Sequence, residues 1–167
     1  MLRNAVEKAR ELHRRHPGLT FPLDMDCLAA AEGCQCLDWP FLEPVREVKS
    51  GRWIGLADWL DPCERRRHIA HALGHHLLHC GNQLVFRDSQ KVLVSKQERE
   101  AEACAAHIMM PQDELEKVRW MTECDIADHF GVPEDMVHQR LTVFATETEM
   151  TRWHATGEEE TGAERKK

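Results

Sequence analysis

Two histidines one helical turn apart mark the segment best suited to chemistry. His71 and His75 lie in the run RRHIAHALGHHLLH, residues 66–79. On an α-helix, residues four apart differ by about 40° around the axis, so both imidazoles project from one face. H-E-x-x-H helices bind zinc through two histidines in this geometry. The chain contains eleven histidines, so chance could also produce such a pair, and the spacing alone is weak support for a metal site.

A carboxylate for a third ligand is available in the acidic segment that follows. Glu98, Glu100 and Glu102 open a predicted helix. Glu98 has two interpretations: a metal ligand, or the last residue of an S-x-x-E capping box in which its side chain bonds the amide of Ser95. The residues alone do not choose between them. Glu100 is the alternative third ligand and would point about 200° of helix rotation away from Glu98.

The two segments carry a recognisable pattern when they are taken together. RRHIAHALGHHLLH is followed by EREAEACAAHIMMP at 98–111. They resemble the ImmA/IrrE family of bacterial metallopeptidases, which typically reads R-F-T-x-A-H-E-L-G-H-x-L-L-H and then E-x-x-A-N/D-x-F-A-A-x-L-L-M-P. The resemblance covers about residues 60–145. It implies a zincin-like α+β domain, mostly helical, with a small antiparallel sheet.

Residue by residue, the resemblance implies a zinc site. His71 and His75 match the two histidine ligands of the family, and Glu98 matches the glutamate that opens the second segment, which favours the ligand interpretation of Glu98. Glu102 stands where the family usually has Asn or Asp; one turn from Glu98, it could orient a ligand. His79 lies a further turn beyond His75 and is expected to orient a ligand or to pack, rather than to bind the metal.

The sequence departs from the family at the position that controls catalysis. Ala72 is the second residue of the H-E-x-x-H pattern. In zinc peptidases a glutamate there accepts a proton from the attacking water and passes it to the leaving amine. A methyl group can do neither. The chain also has no tyrosine, which removes one common donor to the tetrahedral oxyanion. We therefore expect little or no peptidase activity.

Three explanations of Ala72 are open. The protein is a natural pseudo-peptidase that binds metal and partners without cutting, a deliberately inactivated variant, or a peptidase in which another group replaces the base. His76, four residues after Ala72 on the same helix face, is the candidate replacement. One turn of about 5.4 Å separates it from the usual position of the base, which argues against a direct role.

A helix-turn-helix pattern near the C-terminus gives a second functional hypothesis. Residues 126–141, IADHFGVPEDMVHQRL, resemble two helices with Gly131 in the turn, a unit that could read DNA. Residues 122–141 carry five acidic side chains and one basic one, Arg140, a net charge of −4. A surface that contacts phosphates needs the opposite sign. The family resemblance includes this segment in the peptidase domain, so we expect no direct binding to DNA.

The elements that position these residues are predicted from periodicity and from end signals. Asp61 and Pro62 form a helix start, and Gly81 forms a helix end. The predicted helices are 2–16, a short one between Pro22 and Gly33, 62–80, 96–110, 112–120, 123–130 and 133–145. One or two strands are predicted within 35–60, and a hairpin or two edge strands at 84–86 and 92–94.

Length and composition set the outer limits. A chain of 167 residues fits one domain, assigned to 1–147, with a polar tail at 148–167 that is expected to be disordered. The net charge of −7 disfavours a generic affinity for nucleic acid or anionic membranes. The seven cysteines are typical of reduced thiols in a cytoplasmic protein. The resemblance implies a cytoplasmic bacterial or phage protein whose relatives cleave a transcriptional repressor, so a repressor is the expected partner.

Overall fold

Helices enclose a small sheet that lies early in the chain. The computed structural model describes residues 2–78 and 91–153, with the backbone alone for 91–95. Its elements are α1 (Arg3–Arg15), α2 (Met25–Ala31), β1 (Gln35–Trp39), β2 (Glu47–Ser50), β3 (Trp53–Ala57), α3 (Pro62–Leu78), α4 (Lys91–Met109), α5 (Gln112–Val118), α6 (Glu123–Phe130), α7 (Glu134–Thr142) and α8, the helical residues 147–153. The α+β class and the mostly helical character predicted from the sequence are confirmed. None of the helices in the described ranges combines the length and apolar character needed to cross a membrane.

The sheet is mixed, so the prediction of an antiparallel sheet was wrong in this detail. Its strand order is β1-β3-β2, with β1 parallel to β3 and β2 antiparallel to β3. Only β2 and β3 are joined by a tight turn, at Gly51, whose φ of 56° is left-handed. The longer connection from β1 to β2 leaves the centre free for β3, which therefore pairs with β1 in parallel.

Strand register decides which side chains of β2 face the helices. Glu47 pairs with Leu56, and Lys49 pairs with Ile54. Paired residues point to the same face of a sheet. Because Ile54 and Leu56 are fully buried in the core, Glu47 points inward, toward α3.

The helix pair α3 and α4 forms the centre of the molecule. Gly74 permits their close approach, because a Cβ atom at this position would lie 2.7 Å from the carbonyl oxygen of Ala101. Helix α1 packs against both of them, and its buried residues are Ala5, Val6, Ala9 and Leu12. The two helices that carry the predicted ligands are therefore held together by packing that does not involve the ligands.

The start of α4 differs from the prediction. Residues 92–94, predicted as a strand, are helical, because α4 begins at Lys91. Short apolar runs do not distinguish a strand from a buried helical segment by periodicity. Ser95 lies inside the helix and cannot be its N-cap, which excludes the capping-box interpretation of Glu98. The predicted strand at 84–86 and the end of helix 62–80 lie outside the described residues.

Helices α6 and α7 form the predicted helix-turn-helix-like unit. Thr122 caps α6, and Gly131 ends it with a left-handed φ of 61°. Arg66 on α3 donates a hydrogen bond from Nε to the carbonyl oxygen of Gly131, at 2.8 Å. This contact attaches the unit to the helix that carries the histidines, so the unit is part of the same packed structure.

Helix α8 lies in the segment that composition assigned to the tail. Thr146 and Glu149 form a capping box: Thr146 N donates to Glu149 Oε2 at 2.7 Å, and Glu149 N donates to Thr146 Oγ1 at 3.2 Å. The carboxylate of Glu149 also accepts two hydrogen bonds from the guanidinium of Arg140, and both side chains are fully buried. Residues 148–153 are thus folded, and the expected tail boundary at 148 is revised for them.

Candidate metal centre

The two histidines of α3 converge as their spacing predicted. The Nε2 atoms of His71 and His75 are 3.2 Å apart, and the centroids of the two rings are 4.6 Å apart. The side chain of His75 is 2% exposed and that of His71 is 20% exposed. One ring is therefore packed into the protein, while the other lies at the edge of the site.

Glu98 reaches the histidines from α4. Its Oε2 atom is 3.3 Å from His71 Nε2, and its Oε1 atom is 3.4 Å from His75 Nε2. Ligand atoms of these three residues all lie within 4.8 Å of one another, and they form the one such group among the described residues. Glu100, the alternative ligand, is outside this group, with its Oε1 atom 3.9 Å from Lys96 Nζ. The close packing of α3 against α4 at Gly74 brings Glu98 on α4 within reach of the two histidines on α3.

The donor set fits zinc in both chemistry and spacing. Zinc is bound by imidazole nitrogens and carboxylate oxygens at about 2.1 Å, and the ligands of a tetrahedral ion at that distance are about 3.4 Å apart. The three donor separations here are 3.2, 3.3 and 3.4 Å. Three protein ligands leave one tetrahedral position for water or substrate, as in catalytic rather than closed structural sites.

The three side chains also shift one another's protonation. Burial opposes a charge on His71, but hydrogen bonds to Glu47 and Glu98 outweigh it and raise the pKa of His71 to about 10. Hydrogen bonds from His71 and His75 hold the pKa of the Glu98 carboxyl far below its usual range. The cluster thus holds a proton where a metal ion would bind, and a cation is favoured here in either form.

Glu47 is a residue of the site that the sequence analysis missed. Its Oε1 atom is 3.0 Å from His71 Nδ1, and its Oε2 atom is 2.7 Å from His68 Nδ1. Burial favours its neutral form, but the hydrogen bonds from the two histidines lower the pKa of its carboxyl. The sequence signal was slight: an acidic residue in a short strand, whose inward direction follows from the register with β3.

Ala72, the position of the missing base, is fully buried and packs in the hydrophobic core. The H-E-x-x-H pattern predicts a proton acceptor on a face that opens onto the metal, whereas the side chain at position 72 is enclosed by apolar residues. His76 is partly buried and does not belong to the ligand group of the described residues. The structure thus places neither Ala72 nor His76 among the converging side chains. His79 lies outside the described residues.

Glu102 takes a position beside the site rather than in it. It is exposed and has no hydrogen-bond partner among the residues that the structure describes. It lines a cavity of about 210 Å³ together with His68 and His71, and an adjoining cavity of about 500 Å³ together with Glu98. The predicted orienting contact is therefore absent in these described ranges, and Glu102 instead forms part of the walls of the two cavities beside the site.

Two histidines one turn apart on a helix, joined by a carboxylate from the next helix, are the donor set of zincin-like metallopeptidases. The chain belongs to the Peptidase M78 family: the family model of the IrrE N-terminal-like domain matches residues 41–142. This confirms the family that the two sequence segments indicated.

Comparison of structures supports the fold. A solved structure described as a Mycobacterium tuberculosis transcriptional regulator has a TM-score of 0.64 and 16% sequence identity to this chain. The match covers 87% of this chain and 48% of the regulator, so the chain spans about half the length of that protein. At this identity the likeness shows a shared fold alone. No curated protein sequence matches the chain significantly.

Proposed function

We propose that the chain is a zinc-binding, peptidase-like domain whose hydrolytic activity is impaired by Ala72, and whose partner is a transcriptional repressor. The convergence of His71, His75 and Glu98 at the separations of tetrahedral zinc ligands is the observation that supports it most. The partner follows from the family, whose members cleave repressors. The structural neighbour, described as a transcriptional regulator, is compatible with this context.

Each residue of the site has a distinct role in the proposed function. His71, His75 and Glu98 would hold the ion, which when bound polarises a carbonyl group and lowers the pKa of water. The adjoining cavities, lined by Glu98 and Glu102, offer a place for an extended segment of a partner protein. At position 72 no side chain can accept a proton from the water or return it to the amine. Binding of the partner therefore remains, while the rate of cleavage is lost.

The burial of Ala72 favours a pseudo-peptidase, the non-catalytic form of this function. A glutamate at this position must find room within the packed core rather than in an open cleft. A domain that binds a repressor without cutting it would act as a regulator by occupying its partner.

A role as a helix-turn-helix DNA-binding regulator has little support. Arg140, the one basic residue within 122–141, is fully buried and bonded to Glu149 and to the carbonyl oxygen of Met110. It cannot reach a phosphate, and substituting it would test stability rather than DNA binding. The acidic surface of the unit disfavours DNA further.

Zinc binding is tested by metal analysis of protein prepared without chelator, followed by zinc titration. We expect one zinc ion per chain. His75→Ala should abolish binding, because it removes the best-buried ligand. Glu100→Ala is the control, since it removes a carboxylate that lies on α4 with Glu98 but outside the ligand group, and it should bind zinc as the unaltered chain does. Failure of the unaltered chain to bind zinc stoichiometrically would refute the proposed function.

A further inference from the structure

A single carboxylate connects two imidazoles at the back of the metal centre. Both oxygens of Glu47 are engaged, Oε1 with His71 Nδ1 at 3.0 Å and Oε2 with His68 Nδ1 at 2.7 Å. The Glu47 side chain is 15% exposed. A largely enclosed carboxylate with both oxygens bonded has little freedom to rotate, so the directions of its hydrogen bonds are restricted.

The strand beneath Glu47 holds it in place. Glu47 is the first residue of β2 and is paired in register with Leu56 on β3, a fully buried residue of the core. The carboxylate is therefore positioned by the sheet, whereas both histidines are positioned by α3. The hydrogen bonds between Glu47 and the two histidines thus connect the sheet to α3 next to the metal centre.

The two nitrogens of His71 face different partners. In the neutral form of the ring that could bind a metal, the proton on Nδ1 is donated to Glu47, and the lone pair of Nε2 would be directed toward His75 and Glu98. In metal sites a carboxylate at the remote ring nitrogen fixes the tautomer and the orientation of the ring and makes the ligating nitrogen more basic. We infer that Glu47 is a positioning residue of the metal centre, whose carboxylate fixes the His71 ring so that Nε2 faces His75 and Glu98. This inference rests on the proposed zinc site.

His68 completes the arrangement from the other side. Its Nδ1 atom holds the second oxygen of Glu47, while its Nε2 atom lies 3.5 Å from Glu64 Oε2. Both His68 and Glu64 are on α3. The same helix therefore carries the candidate ligand His71 and the residue, His68, that bonds the carboxylate of Glu47 behind it. His68 thus acts on the ligand only through Glu47, and its loss should matter less than the loss of Glu47.

The first test is zinc affinity, measured by competition with a chromophoric chelator. Glu47→Gln keeps the size of the side chain but presents an amide N–H to one of two Nδ1–H donors, so one ring must turn or change tautomer. We expect the affinity to fall about 10–100-fold, and the visible absorption spectrum of the cobalt(II)-substituted protein to change. His68→Gln should cause a smaller loss. Lys49→Gln, a charge change on the same strand, should cause none.

The second test does not require a metal. In metal-free protein the Nδ1–H proton of His71 should give a slowly exchanging NMR signal because it is held by Glu47, and Glu47→Ala should abolish that signal.

If the unaltered chain binds zinc and Glu47→Gln binds it equally well, the inference is wrong while the proposed function stands. If the unaltered chain binds no zinc, the proposed function is wrong, and the role of Glu47 in a metal centre is rejected with it. The NMR signal then reports only whether Glu47 orients the ring.

Discussion

Ala72 differs from its neighbours on α3 in where its side chain lies. His71 and His75 turn toward Glu98, whereas Ala72 between them is fully buried in the apolar core. A step of one residue rotates the direction by about 100° around a helix. A longer side chain at 72 must therefore extend along the helix surface before it can reach the metal centre.

This burial sets two opposing expectations for Ala72→Glu. A glutamate there supplies the missing proton acceptor, which typically contributes about 10²–10⁴-fold to the rate. It also adds volume to a packed core, which typically costs about 1–3 kcal/mol of stability. We expect Ala72→Glu to be less stable than the unaltered chain and to cleave a candidate repressor in a metal-dependent reaction. Cleavage with and without chelator and thermal unfolding together measure both effects.

The matched control for this variant is Ala72→Gln. Glutamine has the same size but cannot accept the proton, so it should share the loss of stability without the gain in cleavage. Robust metal-dependent cleavage by the unaltered chain would contradict the expected role of position 72. It would direct the search for the base to Glu102, the exposed carboxylate in the cavity wall, and then to His76.

The predictability of each site residue follows from what fixes its position. His71 and His75 could be predicted because the period of one helix sets their relation. Glu98 needed the family pattern, since its place depends on how α4 packs on α3. Glu47 could not be predicted, because its direction depends on strand order and register, which emerge only when β3 inserts between β1 and β2.

At the scale of elements, the geometry of the metal centre depends on the distance between α3 and α4. Gly74→Ala would place a methyl group against the Ala101 carbonyl oxygen, a backbone atom that cannot rotate away. We expect the free energy of unfolding to fall by about 1–3 kcal/mol. Zinc affinity should also fall, because α4 must move outward and takes Glu98 with it. Urea denaturation and zinc titration measure the two effects.

Gly55→Ala on β3 is the control for this comparison. The nearest atoms to its new methyl group belong to the Phe41 ring, at 3.3 Å, which is a side chain that can shift. Stability should change little and zinc affinity should not change. Equal losses in the two glycine variants would show that the contact between helices is not specific.

The prediction of the elements failed where sequence pattern and packing disagree. Helix ends with strong local chemistry, such as Asp61 before α3 and Gly131 after α6, lie where they were predicted. Residues 92–94 have the composition of a strand, yet they continue α4 as its first turn. Tertiary context decides such short apolar runs, and a single sequence does not contain it.

At the scale of the whole molecule, a buried histidine predicts how stability depends on pH. His107 is 5% exposed, and its ring bonds the carbonyl oxygen of Phe144 at 2.8 Å. Burial and the nearby charge of Arg140 lower the pKa of His107 from 6.5 to about 4. Between these values the unfolded chain binds a proton that the folded chain does not. The free energy of unfolding should therefore fall as pH drops from about 6.5 to about 4, by up to about 3 kcal/mol from this residue.

Urea denaturation at several pH values measures this slope. His107→Gln keeps a donor for Phe144 but cannot titrate, so its stability should fall less steeply over the same range. His138→Gln, at a side chain that is 62% exposed, should retain the slope of the unaltered chain. An unchanged slope in the His107 variant would mean that other titrating groups, such as the carboxylates and His13, cause the acid sensitivity.

The buried pair of Arg140 and Glu149 shows that the folded domain extends beyond the segment that the family model matches. The family match ends at residue 142 and begins at 41. An excised piece with those ends would leave the Arg140 guanidinium in an apolar interior without its carboxylate, a defect that typically costs about 3–5 kcal/mol. It would also strip α1 from α4, together with the 2.9 Å contact from His13 Nε2 to the Ile108 carbonyl oxygen. The family pattern therefore covers the part of the domain that carries the candidate metal centre, whereas the stability of the fold depends also on flanking segments that the pattern does not include.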